Sequence, residues 1–105
     1  MKQVFRYSNR KEVLKTDKTE GHFLATTQDK DFVELLIEAE GEVAAHPLPI
    51  EVTFYVISGE GTLEVDGASV TMKQGDMATV SANAHRGWRN NNTEPLKLLV
   101  IKAVS

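Results

Sequence analysis

Apolar positions along this 105-residue chain alternate with polar ones or gather in short runs, which is the pattern of strands, and no helical period of useful length is present. His22 to Thr27 and Phe32 to Ala39 form two such segments, each bounded by Asp-, Gly- or Glu-rich connections. Val52 to Ile57 is a near-continuous β-branched and aromatic run, which predicts a central strand covered on both faces. Asp66-Gly67 predicts a two-residue type I′ hairpin turn, because Gly accepts a positive φ without a Cβ clash. Fixing that turn pairs Val65 with Ala68 and Leu63 with Val70 on an apolar face, and Glu64 with Ser69 and Thr62 with Thr71 on a polar one. A second turn, Lys73 to Asp76, leads into Met77 to Val80, and a polar stretch from Arg89 to Pro95 precedes the last apolar run, Leu96 to Val104. Ahead of these, Ser8 to Lys15 joins an N-cap residue to helix formers and predicts a short helix or turn, broken by Thr16 to Gly21. Strands recurring about every ten residues with Gly turns between them read as an all-β sandwich or barrel.

Length and an apolar fraction of 41% suit one domain spanning residues 1–105 with its own core. The chain has no cysteine, which excludes a disulfide framework, a thiolate metal site and a cysteine nucleophile, and fits a reducing compartment, with cytoplasm the expected location. Polar residues follow Met1 to Arg6 where a signal peptide would be apolar, and no apolar run approaches the ~18 residues of a membrane-spanning helix. A formal charge of −3 argues against a general nucleic-acid partner and favours small molecules. Trp88 between Arg86 and Arg89 has the aromatic and basic interleaving of single-strand-binding barrels, but no further basic stripe accompanies it. Asn91-Asn92-Thr93 matches a glycosylation sequon and reads as an Asn-rich turn; Asp29-Lys30-Asp31 reads as a turn, lacking the Gly and bidentate Glu of an EF-hand loop; and His22 reads as structural.

Residues 41–90 resemble the two-motif core of the cupin superfamily. The first motif, G-x5-H-x-H-x3,4-E-x6-G, corresponds to Gly41 through His46, Leu48 and Val52 to Gly59. The second, G-x5-P-x-G-x2-H-x3-N, corresponds to Gly75 through Ser81, Asn83, His85 and Arg86 to Asn90. The scaffold features agree: Gly59-Glu60-Gly61 after the central strand, Asp66-Gly67 between the motifs, and Gly75-Asp76 opening the second. The resemblance implies a small single-domain cupin, a jelly-roll β-barrel (double-stranded β-helix) with at most a short N-terminal helix. The ligand positions depart from the family. Counting back from Gly59 puts the metal-binding Glu on Val52 and the second His on Leu48, so that only His46 survives. Counting in the second motif puts the remaining His on Arg86, with His85 one residue earlier, and alternation allows only one of these neighbours to face inward. Glu51 would serve only after a one-residue slip that turns Val52 and Phe54 outward. Asn83, at the usual Gly, still tolerates a left-handed backbone.

These residues lead to a cupin-like barrel that binds a small organic molecule and needs no cofactor. Val52, Phe54, Val56 and Met77 are expected to line its interior, with His46, His85 or Arg86, and Trp88 giving polarity near the mouth. His46 precedes Pro47, which restricts it to extended backbone at a strand entrance. One alternative is a metal-dependent oxygenase or isomerase holding a divalent transition metal on His46 and His85; another is an assembly protein. The resemblance to small cupins also implies a homodimer, with Tyr55 and Ile57, facing opposite to Phe54 and Val56, as contacts.

Overall fold

A computed structural model describes residues 2–103. After a single 3-10 turn at Tyr7–Asn9 come ten strands: β1 (Lys11–Lys15), β2 (Thr19–Thr27), β3 (Lys30–Ile37), β4 (Glu42–Pro47), β5 (Val52–Ser58), β6 (Glu60–Val65), β7 (Ala68–Lys73), β8 (Met77–Val80), β9 (His85–Arg89) and β10 (Leu96–Ala103). They form two antiparallel sheets, one ordered β1-β2-β3-β10-β5-β8 and the other β4-β9-β6-β7. The sheets face one another as a jelly-roll sandwich, and among the described residues no hydrogen-bonded ladder closes them into a barrel. No helix among the described residues is long and apolar enough to cross a membrane.

The hairpin predicted at Asp66-Gly67 is present in the register derived from its turn: Val65 opposes Ala68, Glu64 opposes Ser69, Leu63 opposes Val70 and Thr62 opposes Thr71. Asp66 and Gly67 take φ of 49° and 85°, as a type I′ turn requires. The second turn holds Gly75 at φ 89°, and the Asp76 carboxylate accepts from the Lys73 backbone N–H at 2.8 Å. Leu63 is buried while Val70 is exposed; β7 is the outer strand of the smaller sheet.

Two expectations are corrected. Lys11 to Lys15 is an exposed edge strand on β2 instead of helix, so local helix propensity gives way to the backbone pairing that β2 offers. β5 is hydrogen-bonded on both edges, by β10 and β8, yet covered on one face only: Val52, Phe54 and Val56 are buried, and Tyr55 and Ile57 are exposed. A β-branched run reports strand propensity and leaves open how many of its faces are covered.

The core lies between the sheets. Ile37, Val56, Leu96 and Leu98 of the larger sheet meet Leu63, Met72 and Trp88 of the smaller one. Asn90, the last residue of the second motif, is wholly buried at one end of this core. Its amide donates to the Ile37 and Glu94 carbonyls at 3.0 and 2.9 Å, and its Oδ1 accepts from the Asn92 N–H at 3.0 Å. All of its polar atoms are partnered, so it acts as a clamp joining β3 to the β9–β10 connection. The sequon stretch lies in that same turn, where the Asn92 amide donates to the Glu60 carbonyl.

Candidate functional site

Strand β9 sets the site because its alternation decides what enters the sandwich. Arg86 opposes Val65 and Trp88 opposes Leu63, so the even-numbered residues share the buried face. Arg86 and Trp88 are only 3% and 2% exposed. His85 turns the other way: its side chain is 63% exposed, its Nδ1 lies 3.9 Å from the Asp66 carboxylate, and its backbone N–H donates to that carboxylate at 2.9 Å. The ambiguity between His85 and Arg86 is thus resolved for Arg86, and His85 belongs to the hairpin tip outside the sandwich.

His46 reaches the same face by a β-bulge. Val43 opposes Trp88 and His46 opposes Arg86, so that Ala44 and Ala45 together face Gly87. Only Gly fits there, since a Cβ on residue 87 would lie 2.7 Å from the Ala45 nitrogen and the Val43 oxygen. The bulge also turns the Ala44 carbonyl toward the imidazole, and this carbonyl accepts from His46 Nδ1 at 2.9 Å. A carbonyl only accepts, so Nδ1 carries the proton and Nε2 is the acceptor of the neutral ring. His46 and Arg86 are direct cross-strand neighbours.

Behind them lies a cavity of about 280 Å³. Its walls are Val43, His46, Arg86 and Trp88 from the smaller sheet, Val52 and Phe54 from β5, Val100 and Lys102 from β10, Val33 and Leu35 from β3, and Leu14 and Gly21 from the β1–β2 edge; Leu48 completes them. Phe54 meets Trp88 edge-on, with ring centroids 5.4 Å apart, so the two aromatics hold each other's orientation. No Asp or Glu lines the cavity. The three Arg86 guanidinium nitrogens and Trp88 Nε1 are buried without a hydrogen-bond partner among the described residues. Desolvation by burial holds the Arg86 pKa below its ordinary value.

His46, Val52, Phe54, Arg86 and Trp88 therefore converge, and three other expected residues do not. Val56 is buried in the core and does not reach the cavity. Met77, expected inside, is 66% exposed and pairs with Tyr55 on the outer face of the larger sheet, because β8 places Ala78 and Val80 inward. His85 lies outside, as described above. Leu14 was hidden by the helical reading of β1. Lys102 had a usable signal, since it ends the inward row Leu96, Leu98, Val100 on alternate positions of β10. Glu51 is exposed, and its carbonyl accepts from the Ala103 N–H at 3.1 Å, which fixes the register that points Val52 inward. Arg89 faces away from the cavity and pairs with Glu64 at 2.9 Å.

Away from the cavity, Glu12, Glu20 and His22 bring one ligand atom each within 4.8 Å of the others on the outer side of the β1–β2 edge. Lys15 lies 3.6 Å from Glu20 and already neutralises part of that charge.

Residues 31–102, well over half the chain, match the sequence profile of the cupin domain. The chain is a cupin. Solved structures agree on the fold. An RmlC-like cupin from Shewanella frigidimarina superposes with a TM-score of 0.85 at 16% identity, covering 99% of this chain and 93% of that one. A predicted oxalate decarboxylase from Thermotoga maritima gives 0.85 at 17%, covering 98% and 100%. The polyketide cyclase RemF from Streptomyces resistomycificus gives 0.84 at 15%, covering 100% and 81%. At such identities the likeness is one of fold. No curated protein matches the sequence significantly.

Proposed function

We propose that this cupin binds a small organic molecule between its sheets without a resident metal. The observation that carries the reading is the chemistry of the four cavity positions aligned with the family's ligands: His46, Leu48, Val52 and Arg86. Two are aliphatic, and a guanidinium has no lone pair to offer a metal, so the set supplies a single imidazole nitrogen where a catalytic metal needs three or so ligands. These residues do not fit a divalent transition metal. A second cation beside the buried Arg86 would add repulsion in a site without a carboxylate. The geometry does not favour the metal-dependent alternative either, since His46 and His85 face opposite sides of their sheet.

What the cavity offers is an apolar, partly aromatic interior with a few donors at one end, the usual make-up of a small-molecule site. Its volume, about 280 Å³, suits a ligand on the order of ten non-hydrogen atoms. Metal analysis of untagged protein purified without chelator tests the reading. Well under one transition-metal ion per chain is expected, unchanged by His46→Ala; near-stoichiometric metal that disappears in that variant would refute it.

A further inference from the structure

Among the described residues, nothing compensates the buried charge of Arg86. Arg86 is 3% exposed, and among the described residues its Nε, Nη1 and Nη2 are buried without a partner and no acid lines the cavity around it. Burying a lone cation is among the costliest arrangements available to a small domain. A lysine could shed its proton in such a place, whereas a guanidinium, even with its pKa lowered by desolvation, stays charged at neutral pH. Its backbone is held on both sides: Arg86 is the second residue of β9, paired with His46 of β4 and Val65 of β6. Trp88, two residues on and on the same face, adds a second buried donor, its Nε1–H, also without an acceptor. Arg86 and Trp88 both line the cavity, and their donors have no acceptor among the described residues.

We infer that the ligand of this cavity is a small organic monocarboxylate, its carboxylate gripped by the Arg86 guanidinium and its apolar body packed among Val52, Phe54, Leu35 and Trp88. Three features select this class. The planar fork of an Arg matches a carboxylate with two parallel N–H···O bonds. A dianionic phosphate ester costs more to desolvate than a carboxylate, and most of this lining is apolar. The remaining lining is hydrocarbon and aromatic, which rewards an unbranched or aryl body and penalises a polyol. Lys102, at the end of the inward row of β10, adds positive potential for the same anion. Arg86 thus does with one cation what the family's His position does with a metal: it gives the cavity a positive end.

This inference rests on the small-molecule reading above, and the experiment separates the two. Benzoate, octanoate, their neutral amides benzamide and octanamide, and phenyl phosphate are titrated calorimetrically into the full-length chain and into Arg86→Met and Arg86→Lys. At least one carboxylate is expected to bind one per chain, at least thirtyfold tighter than its amide and than phenyl phosphate. Arg86→Met removes that preference, and Arg86→Lys retains part of it. An amide binding as tightly as its carboxylate, or a preference that survives Arg86→Met, would overturn the anionic ligand and leave the small-molecule reading standing. Tighter binding of phenyl phosphate would replace the carboxylate by a phosphate ester. If no probe binds, both readings fall.

Discussion

At the scale of single residues, the site is defined by one side chain that the protein stabilises poorly. Arg86 is charged in the folded and unfolded states at neutral pH, but only in the folded state is it desolvated, with no partner among the described residues. Its lowered pKa means that the fold disfavours the charged form, a cost present at every pH below that pKa and relieved only as pH rises through it. Replacing it with Met, similar in length and apolar, should therefore stabilise the ligand-free protein by about 1–3 kcal/mol. The gain should be flat across neutral pH, as urea melts at several pH values would read it; a destabilised variant would mean that Arg86 has a partner. Part of this was legible in the sequence. Motif spacing located Leu48 and Val52 at ligand positions, since counting from Gly59 needs no structure. The choice between His85 and Arg86 was not legible, because neighbours on a strand differ only in parity, and parity was set by the pairing of Val65 with Arg86.

At the scale of elements, two glycines separate local from long-range constraint. Gly67 takes φ of 85° at the tip of the β6–β7 hairpin, where a Cβ would meet nothing within 4 Å. Gly67→Ala should cost about 1 kcal/mol, all of it backbone conformation, and leave the cavity intact. Gly87 has ordinary backbone but lies under the β4 bulge, where a Cβ would come within 2.7 Å of main-chain atoms that cannot swing aside. Gly87→Ala should cost more, about 3 kcal/mol or above, and should shift the His46 ring signals, since the Ala44 carbonyl that orients the ring belongs to the bulge. Equal costs from thermal or chemical unfolding would contradict this account of β4. The hairpin could be read from its dipeptide because the information is local. The bulge could not, since it depends on how β4 meets a strand some forty positions later in the chain. The same distinction explains β1, whose local propensity pointed to helix while its pairing with β2 made it a strand.

At the scale of the whole molecule, the two faces of the larger sheet divide the labour. The inner face walls the cavity, and the outer face carries Tyr55 and Met77 as exposed cross-strand neighbours, with Ile57 beside them. An uncovered row of this kind suits a second copy, as the resemblance to small cupins implied, and we propose that it does so here. Sedimentation at micromolar concentration should give a dimer that Tyr55→Asp with Met77→Glu converts to monomer; a wild-type monomer would contradict it. The fold was legible from turns and alternation, and so was the facing of Tyr55 and Ile57 opposite Phe54 and Val56; that they stay exposed was not, because their residue types are those of a buried run. The central claim is that the inner face receives an organic molecule without metal. Its most direct test uses the chain's single tryptophan, which lines the cavity and gives one indole N–H resonance. In chelator-treated protein, titration with benzoate, octanoate and their amides should move that resonance saturably; movement only after a divalent transition metal is added would contradict the account.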